Sequence, residues 1–148
     1  MTEKFDELKK LASEQWDNLE SGFLARIRVG NGICGHAAGS EGVLTSVKEE
    51  LAKRNLNIAV HEVGCIGLCF AEPLLDIQKP GEPRICLRNV TPEQIPGIVD
   101  SLENGNLPNS EQVLGSLGEG TISGVTNFDD IPSWSYQVRI ATRNCGTI

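Results

Sequence analysis

Apolar positions recur along this chain with two different periods. From residue 3 to 20, Phe5, Leu8, Ala12, Trp16 and Leu19 return near helical spacing among charged residues, which predicts an amphipathic helix ended by Gly22. The period then drops to two. In "FLARIRV" (Phe23–Val29), Phe23, Ala25, Ile27 and Val29 fall on one face, as in a strand. A glycine-rich loop follows, and Ser40 is placed to cap a helix running to about Arg54 with Val43, Val47 and Leu51 as its core stripe. "NIAVHEV" (Asn57–Val63) is a second strand. Strand, helix and strand in that order predict a crossover between two parallel strands.

The next segments change direction. "GCIGLCFAEP" (Gly64–Pro73) has no period and is expected to be a loop. "LLDIQ" (Leu74–Gln78) and "RICLR" (Arg84–Arg88) flank "KPGEP" and predict an antiparallel hairpin. Thr91-Pro92-Glu93-Gln94 opens a helix: a Thr cap, Pro at the first position and Gln closing the box. Ile95, Ile98, Val99 and Leu102 give that helix its apolar face, and Gly105 stops it. Pro96 sits early enough to make the first turn irregular. The order is helix, then β-α-β, then β-β-α. That is an α/β, thioredoxin-like mixed sheet covered by helices, with an extra N-terminal helix and a partly irregular C-terminal tail.

The periodicity divides the chain into an N-terminal helix (1–22), the sheet domain (23–105), a linker (106–130) and a short final segment (131–148). The linker is rich in Gly, Ser, Asn and Asp and poor in large apolar residues. The last segment holds Trp134, Tyr136 and the strand-like "YQVRIAT", and is too short to fold alone.

Charge and length narrow the functional classes. The chain has 148 residues and a net charge of -7, with no cluster of Lys and Arg to meet a phosphate backbone, so no nucleic-acid partner is expected. No apolar run approaches the roughly 18 residues of a membrane span. The first ten residues lack the apolar centre of a secretion signal. A cytoplasmic protein without membrane insertion is the expectation.

Five cysteines then change the picture: Cys34, Cys65, Cys69, Cys86 and Cys145. An odd number without a secretion signal argues against a disulfide framework and leaves metal binding, redox chemistry or burial. Cys65 and Cys69 share a glycine-containing loop directly after a strand, where the backbone can approach a metal–sulfide centre closely. The two parallel strands end at Val29 and Val63, so the loops carrying Cys34 and the Cys65/Cys69 pair emerge at one sheet edge. Three thiols are thereby expected to converge. A structural zinc or an iron–sulfur cluster wants four ligands, so a fourth is missing; His36 and Cys86 are weak candidates. Cys86 lies mid-strand, where packing is its expected role, and His61 reads as a strand residue with a satisfied ring. Thiol–disulfide exchange through Cys65 and Cys69 is disfavoured by their spacing, since redox pairs are usually C-x-x-C.

Gly30-Asn31-Gly32-Ile33-Cys34-Gly35 also spells G-x-G-x-x-G between a strand and a helix. Nucleotide binding is not expected from it. The chain turns into a hairpin instead of a third parallel strand, and a doubly wound sheet does not fit in the remainder.

Residues 3–105, and "GCIGLCFAEP" and "PGEPR…VTPE" above all, resemble the thioredoxin-like 2Fe–2S ferredoxin domain. That domain stands at the N-terminus of NADH-binding flavoprotein subunits of bacterial hydrogenases, formate dehydrogenases and complex I-like oxidoreductases. "YQVRIATRNCGTI" is similar to the segment that opens the flavoprotein domain, through Gln137, Arg139 and Arg143-Asn144-Cys145-Gly146. The resemblance implies that FMN, NADH and a 4Fe–4S cluster belong to a following domain absent here, making this a truncated product or a stub. It makes Cys145 a structural residue.

Aligned on the family's first loop, the two expected cysteines fall on Gly30 and Gly35, with Cys34 one position early. The resemblance thus implies Cys65, Cys69 and, by a shift, Cys34 as 2Fe–2S ligands, with the fourth unidentified. It implies an electron-transfer domain within an NAD(P)H-linked oxidoreductase, partnered by flavoprotein and iron–sulfur subunits, and itself without a catalytic residue. The alternative is a cluster-less docking module for assembly of such a complex.

Overall fold

The computed structural model describes residues 2–21 and 24–147. Gly22 and Phe23, and the side chain of Leu19, lie outside the described residues, so the expected helix stop and the first strand position are not addressed.

Five strands form one mixed sheet in the order β2-β1-β3-β4-β5. Strand β1 (Ala25–Gly30) pairs in parallel with β2 (Ile58–Val63) and antiparallel with β3 (Leu75–Gln78). Strand β4 (Arg84–Leu87) completes the hairpin expected around "KPGEP", and β5 (Val113–Leu117) pairs antiparallel with it. The fifth strand corrects the sequence reading, which took residues 106–130 for a linker. Helix α1 (Thr2–Ser21) precedes the sheet. Its Phe5, Leu8 and Leu11 are exposed, and its Trp16 ring lies 5.6 Å from the Arg26 guanidinium.

The β1–β2 connection contains two helices, not one. Helix α2 (Ile33–Ala38) occupies what reads as a glycine-rich loop, and Gly39, in the left-handed region at φ 96°, joins it to α3 (Ser40–Arg54). Ser40 is therefore not the cap. It is the first residue of α3 and fully buried, and its hydroxyl donates to Asn31 Oδ1. Asn55, also left-handed, ends α3. The Thr91 capping box forms as expected; Pro92–Gln94 make a 3-10 turn before α4 (Ile95–Glu103), the irregular start that Pro96 foretells.

Helices α3 and α4 cover one face of the sheet. Val43, Val47 and Leu51 meet Ile95, Ile98, Val99 and Leu102 over Ile27, Val29, Leu75 and Leu87, all buried. At roughly 25 cal/mol per Å² of apolar surface removed from water, this aliphatic layer is the main source of stability. Arg54 links the two helices by pairing with Glu50 at 2.6 Å, Glu103 at 2.7 Å and Asp100.

The opposite face is different. Ile66, Ala71, Leu74, Cys86 and Phe128 form a second, smaller cluster with Leu114, Leu117, Ile131 and Trp134 packed around it. Phe128 lies directly on β5 because position 115 is glycine; a Cβ there would come within 2.4 Å of its ring. Short helix α5 (Pro132–Ser135) carries Trp134, whose ring stands 4.9 Å from that of Phe128. Beside this cluster lie buried charges. Arg28 donates to Gln78 at 2.9 Å, and Arg84 approaches Asp76 at 3.5 Å. Burial, with repulsion from Arg26 and Arg84, lowers the Arg28 pKa to about 10, and burial raises that of Asp76. Beyond α5 the expected strand "YQVRIAT" does not form; the backbone turns, with Tyr136, Val138 and Ile140 exposed.

Candidate metal centre

Parallel strands deliver their carboxyl ends side by side, and the structure uses that edge to gather sulfur. β1 ends at Gly30 and β2 at Val63, paired in register. Cys34 follows β1 on the first turn of α2, and Cys65 follows β2 by two residues. Cys69 opens a short 3-10 turn, Cys69–Ala71, that leads towards β3. Their three ligand atoms lie within 4.8 Å of one another. Cys34 Sγ is 3.1 Å from Cys69 Sγ, and Cys65 Sγ is 3.6 Å from Cys69 Sγ. Cys34 and Cys65 are half-buried and Cys69 is exposed.

Local backbone geometry explains how three thiols meet. Gly67 takes φ 95°, which favours glycine, and the turn it makes aims its N–H at Cys65 Sγ, 3.2 Å away. Between them Ile66 is buried in the second cluster, so the loop is anchored by one apolar side chain while its thiols face outward. On the facing loop, a Cβ on Gly35 would stand 2.1 Å from the Gly30 carbonyl oxygen. No side chain fits at 35 with this backbone, and Cys34, one position earlier, supplies the thiol instead. Exposed Ile33 and Phe70, at 90% and 74%, are chain neighbours of Cys34 and Cys69.

Burial raises the Cys65 pKa, opposed by the Gly67 N–H and reinforced by Cys69 and Glu72. Glu72 is itself raised by burial; the Leu74 N–H bonded to it acts in the other direction. Its carboxylate lies against Gly30: Oε2 accepts from Leu74 N at 2.8 Å, and sits 2.9 Å from where a Gly30 Cβ would be.

The other candidates stand apart. Cys86 is fully buried in β4, register partner of Asp76, and desolvation with the nearby Asp76 carboxylate pushes its thiol well up. His36 Nδ1 pairs with Glu41 at 3.4 Å and is not among the converging ligand atoms. Cys145 lies in the final turn, half-buried. His61 differs from its expectation: its Nε2 is buried without a hydrogen-bond partner among the described residues. The sequence missed Glu72. Its only signal there is its place three residues after Cys69 and directly before Pro73.

Three thiols at one point suit a soft or borderline metal: zinc, or iron in a sulfide cluster. The Gly67 N–H already directed at sulfur is the kind of contact that tunes such a cluster's potential. The donor set fits the group, with one position to be filled. The G-x-G-x-x-G sequence is absorbed into α2 beside an antiparallel β3, without the third parallel strand a dinucleotide fold requires.

The chain matches no known family profile and no curated protein sequence. Solved structures do resemble it. A thioredoxin-like 2Fe–2S ferredoxin from Aquifex aeolicus is 17% identical, with a TM-score of 0.54 over 70% of this chain and 98% of that one. The wild-type form in another crystal structure gives 18% identity and 0.53 over 63% and 98%. A cysteine-to-serine variant of it gives 18% and 0.54 over 62% and 98%. These likenesses establish the thioredoxin-like fold expected from the order of elements.

Proposed function

We propose that this chain is a one-electron carrier whose Cys34, Cys65 and Cys69 hold a 2Fe–2S cluster. The observation that carries it is the convergence of three sulfurs, from two separate loops, at one sheet edge. The ferredoxins of the same fold support it. The cluster, when bound, accepts and releases a single electron without bond chemistry on a substrate. The chain's own residues ligate it, orient an N–H at Cys65, and present the site at the surface. Exposed Ile33 and Phe70 beside the thiols suit a small, transient docking contact of the kind electron-transfer partners use.

The physiological context is part of the same proposal. The sequence resemblance of residues 3–105 and of the final segment points to a flavoprotein and iron–sulfur assembly that oxidises NADH or NADPH. FMN, NADH and a 4Fe–4S cluster would sit in its other parts. Five free cysteines suit the reducing cytoplasm. Among the described residues no helix is long and apolar enough to cross a membrane.

Anaerobic purification and reconstitution, with iron and acid-labile sulfide counted beside a visible spectrum, tests the reading. About two irons and two sulfides per chain are expected, with loss of the chromophore in Cys65→Ser. A folded protein that stays iron-free after reconstitution would overturn the carrier and leave the cluster-less docking module. Zinc alone would make the site structural.

A further inference from the structure

A binuclear iron centre takes four protein donors, and the three converging sulfurs leave one place to fill. Neither Cys86, sealed under the sheet, nor His36, turned to Glu41, reaches it. Glu72 has the position and the free valence. It is only 7% exposed. One carboxylate oxygen, Oε2, accepts the Leu74 N–H; the other, Oε1, is buried with no hydrogen-bond partner among the described residues. Buried carboxylate oxygens ordinarily find a donor, so an unpaired one against the turn that carries Cys65 marks a missing electrophile. Gly64 and Ile66, the two chain neighbours of Cys65, line the same small cavity as Glu72.

The location adds a second, independent observation. Oε2 and Oε1 lie 2.9 and 3.1 Å from the point where a Cβ on Gly30 would stand. Gly30, Gly64, Ile66 and Glu72 line one small cavity. The carboxylate therefore takes the room into which a cysteine side chain at position 30 would project. The resemblance of the first loop to the ferredoxin family implies a thiol at position 30, where this chain has glycine. Ala71, fully buried, and its N–H bond to the Leu68 carbonyl at 2.9 Å fix the turn that swings Glu72 there.

We propose that the Glu72 carboxylate is the fourth ligand, giving a centre of three thiolates and one carboxylate. This rests on the cluster reading of Cys34, Cys65 and Cys69. The carboxylate is outside the tight trio of sulfurs, in the cavity lined by the neighbours of Cys65, as suits donors divided between two metal atoms. Oxygen and sulfur donors on one centre make its two irons inequivalent, and that inequivalence is measurable.

The test uses the full chain, reconstituted anaerobically with iron and sulfide and followed by iron count, chelator resistance and Mössbauer spectroscopy. In the wild type, two distinct ferric sites are expected, one with oxygen ligation. Glu72→Ala should shorten cluster lifetime against a chelator by about tenfold or more. Glu72→Gln, which keeps the side-chain volume and guards against misfolding, should change the spectrum of one site only. Gly30→Cys combined with Glu72→Ala should restore the lifetime, with two similar all-sulfur sites. Glu72→Gln and Glu72→Ala that both keep a full, spectroscopically unchanged cluster would overturn Glu72 as a ligand while the carrier reading stands. No iron in the wild type or in any variant would overturn both.

Discussion

The two faces of the sheet are built on different principles. The face under α3 and α4 is dry and aliphatic, and its residues are the ones the sequence periods single out. The other face mixes a small apolar cluster with buried Arg28 and Asp76 and half-buried Arg84, and is closed by segments far along the chain. The loop of the candidate site belongs to the second: Ile66 and Ala71, beside Cys65 and Cys69, pack in the cluster that Phe128 completes. The first face holds the fold, and the second holds the site. The C-terminal quarter therefore buttresses the site loop, although none of its residues is among the converging ligands.

Substitutions on the two faces should separate those roles. Ile27→Ala, deep in the aliphatic layer, is expected to cost about 4 kcal/mol in denaturant unfolding and to take the whole sheet with it. Phe128→Ala should cost less, about 3 kcal/mol, because its cluster is smaller and more open. It should also speed amide exchange at residues 64–71 while leaving α3 and α4 protected; equal loosening of both faces would erase the distinction. Gly67→Ala forces a side chain into the left-handed region at about 1–2 kcal/mol. Its larger signature should be a shifted reduction potential, read by protein-film voltammetry, since the N–H aimed at Cys65 moves. In metal-free protein, mild oxidation followed by peptide mapping should find Cys34 joined to Cys69, the closest pair of sulfurs, ahead of the Cys65–Cys69 pair.

The smallest effect concerns His61. Burial and the charges of Arg26 and Arg28 hold its pKa below the ordinary value, so the folded state favours the neutral ring. Its contribution is fully present above the unfolded-state pKa and is lost as pH falls through the lower folded one. Urea midpoints measured from pH 7 down to 5 should therefore fall less steeply in His61→Gln than in the wild type.

The legible parts of this chain were those whose pattern reports burial directly. Alternation in β1 and β2, the "KPGEP" hairpin and the Thr91 box each follow from a local rule, and the convergence of the thiols follows from parallel strands ending together. The parts that were missed depend on contacts made across the fold. β5 reads as linker because Gly115 and Ser116 sit where apolar residues would mark a strand. Gly115 is there to admit Phe128, which only the folded chain brings near. Helix α2 hides among glycines because Gly35 must clear the Gly30 carbonyl. "YQVRIAT" shows the converse: it alternates like a strand, yet pairs with none of the five in the sheet. Glu72 has no pattern at all; its position comes from a single turn of backbone after Cys69.

The openness of Cys69 has a consequence for how long a molecule of this protein lasts. Cys34 and Cys65 are half covered, so oxidants, chelators and scavenging metals arriving from solvent meet Cys69 first, and it neighbours both other sulfurs. On the proposed reading, damage to that one atom leaves two thiolates and the Glu72 carboxylate, too few sulfurs to keep the cluster. Ageing of a preparation should thus be recorded at a single residue, and the fraction of intact Cys69 thiol is a gauge of how much of a sample is still fit for use.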